Sequence, residues 1–276
     1  MSGQPPSIDE LFKKLRAEGR KALMPFITAG DPDLEFTGAL LKEIVSRGAA
    51  LCELGIPYSD PIADGPVIQA SYTRALDKKV KLAGILEMLA KTTPALAAPV
   101  VTMVSYAIVY RHGAERYAAD VAKAGGSGLI VPDLPVDEAS KLAEICGKAG
   151  VSLIQLVTPT TPRERAVRIC ESSSGFVYFV SVTGITGERT QLPPDLVESV
   201  GWLRTKTSLP ICIGFGISTP EHVRLLAPVA DGLIVGSAVV RRIAAVDKQS
   251  REAVLADVGN YVASLLDALE GAAAAR

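Results

Sequence analysis

The stretch CELGIPYSDPIADGP, Cys52 to Pro66, begins as an apolar strand and ends as an acidic loop stiffened by Pro57, Pro61 and Pro66. Alternation puts Leu51, Glu53 and Gly55 on one side of the strand and Cys52, Leu54 and Ile56 on the other. Glu53 apart, both sides are apolar or small. That is the pattern of a strand in a parallel sheet, covered on both faces. The Cys52, Leu54 and Ile56 side faces surrounding helices, so Glu53 points to the enclosed side.

Seven further runs read the same way. They are ALMPFIT (22–28), PVVTMVSY (99–106), GLIVPD (128–133), SLIQLVT (152–158), FVYFVS (176–181), PICIGFG (210–216) and GLIVG (232–236). Between them lie segments with helical spacing of apolar residues, among them 33–48, 114–126, 137–150 and 218–226. Eight strand–helix repeats without a break in composition predict a single (β/α)8 barrel over residues 1–276. A doubly wound open sheet usually has fewer strands and a G-x-G-x-x-G after the first. Here AGDPDLE (29–35) follows the first strand. Residues 7–19 predict an extra helix before the barrel, and additional helices are expected after strands 2 and 8. Residues 1–6 and 271–276 read as frayed ends.

The bulk composition restricts the function classes. The chain is 48% hydrophobic and 21% charged, with a formal net charge of -1. Such a balance offers no electrostatic case for nucleic acid or a membrane surface as a partner. No apolar run reaches the roughly 18 residues of a membrane span, and no basic-then-apolar leader is visible, so the expected compartment is the cytoplasm. Cys52, Cys146, Cys170 and Cys212 are widely spaced and read as buried thiols. The two histidines, His112 and His222, both lie in helical segments, which argues against a histidine-based metal site or a Ser-His-Asp triad.

Glu53 is the residue that demands an explanation. A carboxylate inside a barrel is costly unless it is hydrogen-bonded in the core or used for chemistry. It sits toward the C-terminal end of its strand, where barrel enzymes keep their chemistry. Burial would raise its pKa and suit it to general acid–base work. Asp60 and Asp64 follow on the stiff loop. Each could simply shape a turn, the more so Asp60 in its S-D-P context. Alternatively, the loop presents a second acid at the barrel mouth. At the other end of the chain, GFGIS (214–218) and GLIVGSAVV (232–240) place small residues where the loops after strands 7 and 8 commonly hold phosphate. The segment 181–195, with Gly184 and Gly187, reads as a mobile lid or as a plain surface loop.

With these features in hand, the chain closely resembles the tryptophan synthase α-subunit family along essentially its whole length. PFITAGDPD, CELGIPYSDPIADGPVIQ, SVTGITG, GFGIS and GLIVGSAVV match family motifs in order and at family spacing. The resemblance implies a lyase that needs no cofactor. It cleaves indole-3-glycerol phosphate to indole and glyceraldehyde 3-phosphate by a retro-aldol reaction. It implies Glu53 as the catalytic acid–base and Asp64 as the carboxylate that holds the indole N–H. Phe26, Val104, Tyr106, Tyr178, Phe215 and Ile234 would line the indole and glycerol pocket. Thr186 would brace Asp64, and Gly187, Gly216, Gly236 and Ser237 would hold the phosphate. The family works as an α2β2 assembly whose β subunit carries pyridoxal phosphate, and Asp60 and Pro61 would contact that partner. Where the family often has Asn two residues after Tyr106, this chain has Ile108, which bears on partner contact rather than on the lyase chemistry.

Two other readings of the same residues are a free-standing lyase that releases indole and a non-catalytic activator of a β subunit. The intact Glu53 and Asp64 speak against the second. An indole-glycerol-phosphate synthase barrel would lean on a lysine inside the barrel, and none of the eight strand runs contains one.

Overall fold

Eight parallel strands pair in chain order, and the last returns to the first, closing a barrel. The computed structural model describes residues 7–61, 64–181, 194–214 and 216–274. The strands are β1 (Ala22–Thr28), β2 (Cys52–Gly55), β3 (Val100–Met103), β4 (Gly128–Ile130), β5 (Ser152–Val157), β6 (Val177–Val180), β7 (Ile211–Gly214) and β8 (Gly232–Val235). Each falls inside one of the eight apolar runs.

The helices are α1 (Ile8–Ala17), α2 (Leu34–Ser46), α3 (Pro66–Asp77), α4 (Leu82–Thr92), α5 (Tyr106–His112), α6 (Ala114–Lys123), α7 (Val136–Ala149), α8 (Arg163–Glu171), α9 (Pro194–Arg204), α10 (Pro220–Leu226), α11 (Ser237–Ile243) and α12 (Arg251–Ala274). As expected, α1 precedes the barrel, and β2 and β8 are each followed by two helices. The structure adds a pair beyond that expectation, because β3 is also followed by two. The break between α5 and α6 falls on Gly113, whose φ of 91° ends one helix and opens the next. At the far end, α12 continues through Ala274. The alanine run there sustains a helix where the sequence predicts fraying.

Period-2 alternation sorts the side chains into two cores. Cys52, Leu54 and Ile56 belong to the outer core between strands and helices. Leu51, Val101, Ile130, Ile154, Cys212 and Ile234 fill the barrel interior. The interior is sealed at the end where the strands begin. Ile8, Phe12 and Leu15 of α1 join the interior cluster, and the Phe12 ring lies 5.9 Å from that of Phe176. Ser7 caps this helix by accepting from the Glu10 N–H. All four cysteines are buried and free. No described helix is long and apolar enough to cross a membrane.

Candidate active site

The strand register sets Glu53 between Phe26 of β1 and Val101 of β3. Glu53 is wholly buried, and neither carboxyl oxygen has a hydrogen-bond partner among the described residues. Burial without compensation favours the neutral acid, and it pushes the Glu53 pKa up to about 8. The side chain is therefore protonated at neutral pH, in contact with a cavity of about 1260 Å³ that opens at the C-terminal ends of the strands.

Asp64 lines the same cavity from the loop after β2. Its backbone is held on two sides. The Asp64 N–H donates to the Pro61 carbonyl at 3.1 Å. The Gln69 side-chain amide of α3 donates to the carbonyls of Asp64 at 2.7 Å and Pro61 at 3.2 Å. In turn α3, which begins two residues after Asp64, is pinned to the β1 side of the barrel. Arg74 forms a two-pronged pair with Asp31 at 2.9 and 2.6 Å, and the Ser71 and Thr28 hydroxyls lie 2.6 Å apart in the buried interface. Partial burial raises the Asp64 pKa to about 6, so it is an anion at neutral pH. The two acids of one cavity are thus held in opposite protonation states between about pH 6 and pH 8.

Apolar side chains complete this end. Phe26, Met103, Tyr178 and Ile234 line the cavity. Two glycines make room for the rings. A Cβ on Gly55 would lie 2.5 Å from the Phe26 Cζ and 2.8 Å from the Tyr72 hydroxyl. A Cβ on Gly214 would collide with the Tyr178 ring. Burial, followed by the nearby Glu53 and Asp64, holds the Tyr178 phenol well above its usual range, so it stays a neutral hydrogen-bonding group. The same cavity is also lined by Gly216, Gly236 and Ser237, together with Ser218, His222 and Arg241.

Of the described catalytic, pocket and phosphate residues singled out from the sequence, all but two, Val104 and Tyr106, therefore meet in one place. Val104 packs in the outer core and is absent from the cavity wall. The alternation that turns Val101 inward on β3 also turns Met103 inward, so Val104 faces the helices. Tyr106 does not line the cavity either. Its N–H donates to Asp133 at 2.7 Å and its hydroxyl to Glu138 at 3.3 Å, which hold it toward α7. Ile108 packs against the outer core. Asp60 is exposed and accepts from the Ser59 hydroxyl at 2.7 Å, with Pro61 beside it near the mouth. Thr186, Gly187 and Phe215, and residues 182–193 of the segment 181–195 that reads as a lid or a plain surface loop, lie outside the described residues. Met103 could have been found from alternation alone. Gln69, His222 and Arg241 carry no sequence signal that marks them as site residues.

A family model described as tryptophan synthase alpha chain matches residues 12–269. The tryptophan synthase alpha chain of Rhodopirellula baltica is 54% identical over 275 residues, covering 96% of this chain and 99% of its own. That of Thermoanaerobacter sp. (strain X514) is 44% identical over 262 residues, covering 95% and 99%. Among solved structures, the tryptophan synthase subunit alpha from Legionella pneumophila superposes with a TM-score of 0.87 at 35% identity, covering 96% of this chain and 98% of that one. A structure of Mycobacterium tuberculosis tryptophan synthase gives a TM-score of 0.85 at 32% identity, covering 95% and 97%.

Proposed function

The chain belongs to the tryptophan synthase alpha chain family, and from that premise we propose how its residues share the work of the reaction. The activity is a carbon–carbon lyase reaction, cleavage of indole-3-glycerol phosphate to indole and glyceraldehyde 3-phosphate, in tryptophan biosynthesis. The observation that carries the assignment of roles is Glu53, a buried acid with no hydrogen-bond partner among the described residues, sharing a cavity with the ionised Asp64.

Protonated Glu53 delivers its proton to indole C3, which makes the ring an indolenine-like cation. The carboxylate left behind takes the proton from the C3′ hydroxyl. The bond between indole C3 and C3′ breaks, its electron pair returns to the ring, and the hydroxyl carbon becomes the aldehyde. Glu53 ends as it began, protonated, so it acts as both acid and base. Asp64 accepts from the indole N–H and sits where positive charge builds on the ring. Phe26, Tyr178 and Ile234 hold the indole and glycerol parts, with Met103 added to that set. Gly216, Gly236 and Ser237, with Gly187, bind the phosphate, while Thr186 braces Asp64 and Phe215 completes the pocket.

Family membership implies a β-subunit partner. We assign contact with it to Asp60 and Pro61, which stand on the surface of the same loop that carries Asp64. In the α2β2 assembly, pyridoxal phosphate belongs to the β subunit, this chain supplies indole without a cofactor, and the assembly works in the cytoplasm. The test is indole release from indole-3-glycerol phosphate by the purified chain, alone and with a tryptophan synthase β subunit. Slow release alone and a large rise with the partner is the expected result. Fast release without help would mean a free-standing lyase, and no release from the folded chain in either condition would overturn the assigned chemistry.

A further inference from the structure

The Asp64 carboxylate makes no hydrogen bond or ion pair among the described residues. Its location is therefore set by the backbone that carries it. Both peptide groups of Asp64 are tied. Its N–H donates to the Pro61 carbonyl at 3.1 Å, and its own carbonyl accepts from the Gln69 side-chain amide at 2.7 Å. With the planes on both sides of the residue held, only the side-chain torsions remain to place the carboxylate. The junction with α3 adds no hold of its own, because its N-cap is Gly65, which has no side-chain cap. Gln69 bridges that junction from one turn inside the helix. Its amide also donates to the Pro61 carbonyl at 3.2 Å. Both partners are acceptors, so the nitrogen of the amide must face them.

We propose that Gln69 is a positioning residue for the lyase reaction, the pin that passes the location of α3 to the Asp64 carboxylate. This rests on the reading that Asp64 holds the indole N–H. The mount is firm: α3 buries Ile68, Ser71, Tyr72 and Ala75, and Arg74 grips the buried Asp31 of the loop after β1. The place of Asp64 is thus taken from the β1 side of the barrel, although the residue follows β2. Gln69 itself is exposed. Water satisfies both carbonyls when its amide is removed, so the bonds add little to stability. Water does not fix their direction, however. Asp64 faces charge that develops only as the ring is protonated, so a misplaced carboxylate costs turnover more than substrate affinity.

The test measures kcat and KM for indole-3-glycerol phosphate with the purified chain alone, which keeps partner contacts out of the result. The variants are Gln69→Ala, Gln69→Glu, Asp64→Asn and the double variant Gln69→Ala with Asp64→Asn, each with its melting temperature. Gln69→Ala should lower kcat roughly 10- to 100-fold, with KM changed by less than about 3-fold and the melting temperature by less than about 4 °C. Gln69→Glu keeps the shape but loses the donors, so its loss should be at least as large. In the Asp64→Asn background, Gln69→Ala should change kcat by less than about 3-fold, because no carboxylate is left to place. If Asp64→Asn is impaired while Gln69→Ala keeps wild-type kcat, the role of Gln69 is overturned and that of Asp64 stands. Losses that multiply in the double variant would also overturn it, since Gln69 would then act on something other than Asp64. If Asp64→Asn keeps wild-type kcat, the reading of Asp64 fails and the role of Gln69 falls with it.

Discussion

Replacing Glu53 by Gln should make the protein increasingly stable, relative to the wild type, as the pH rises. In the unfolded chain the carboxyl titrates near its ordinary 4.5, and in the folded barrel near 8. Between these values the folded state holds a proton that the unfolded state has lost. Folding stability therefore falls with rising pH, by about 1.4 kcal/mol per unit. The burden on the wild type is roughly 1.4 kcal/mol at pH 5.5 and roughly 4 kcal/mol at pH 7.5. The glutamine side chain of the variant does not titrate. Its buried amide adds a cost of its own, but that cost is the same at both pH values. The difference in unfolding free energy between Glu53→Gln and wild type should thus shift by about 2.5 kcal/mol in favour of the variant between pH 5.5 and 7.5. Urea titrations of both proteins at both pH values measure it, since all other titrating groups are common to the pair. A difference that moves by less than about 0.5 kcal/mol over that interval would refute the reasoning, because Glu53 would then titrate alike in the folded and unfolded states. The same variant should lose roughly 10²- to 10⁴-fold in turnover while keeping its fold.

The pH dependence of kcat/KM should be bell-shaped, falling below about 6 as Asp64 gains a proton and above about 8 as Glu53 loses its own; a profile flat across both limbs would separate these acids from the chemistry. Asp64→Asn should lower kcat strongly with a smaller change in substrate binding, and a pure KM effect would contradict the charge-stabilising role. Gly55→Ala places a methyl group against Phe26 and Tyr72 and should cost about 1–3 kcal/mol in a urea titration, with a raised KM as Phe26 shifts; unchanged stability would show that the rings yield freely.

The fold was legible because its main signal is local. Eight runs apolar on both sides, each followed by helical spacing, admit few architectures, and β1 coincides with its run from Ala22 to Thr28. Alternation also turned Glu53 inward without any structure. On β3 the same rule favours Met103 over Val104. The family resemblance placed Val104 in the pocket where the pleat of the strand does not. Tyr106 shows a different limit. Its orientation is set by Asp133 and Glu138, 27 and 32 residues away in the chain, and no local pattern announces such partners. Nor does the pair Arg241–Arg242 reveal which arginine faces the cavity, because that depends on where Tyr261 and Asp257 of α12 arrive. The break at Gly113 was equally hidden, since a glycine after His112 can end a helix without another starting at once.

The α1 helix has a consequence for acidity at a distance. By packing Ile8, Phe12 and Leu15 into the interior cluster, it covers the end of the barrel where the strands begin and shields the interior that buries Glu53 from that side. The insulation that keeps this carboxyl protonated is thus supplied partly by a helix at the opposite end of the barrel. Loosening α1 would let the acid discharge from below, silencing the site without moving any residue that touches substrate.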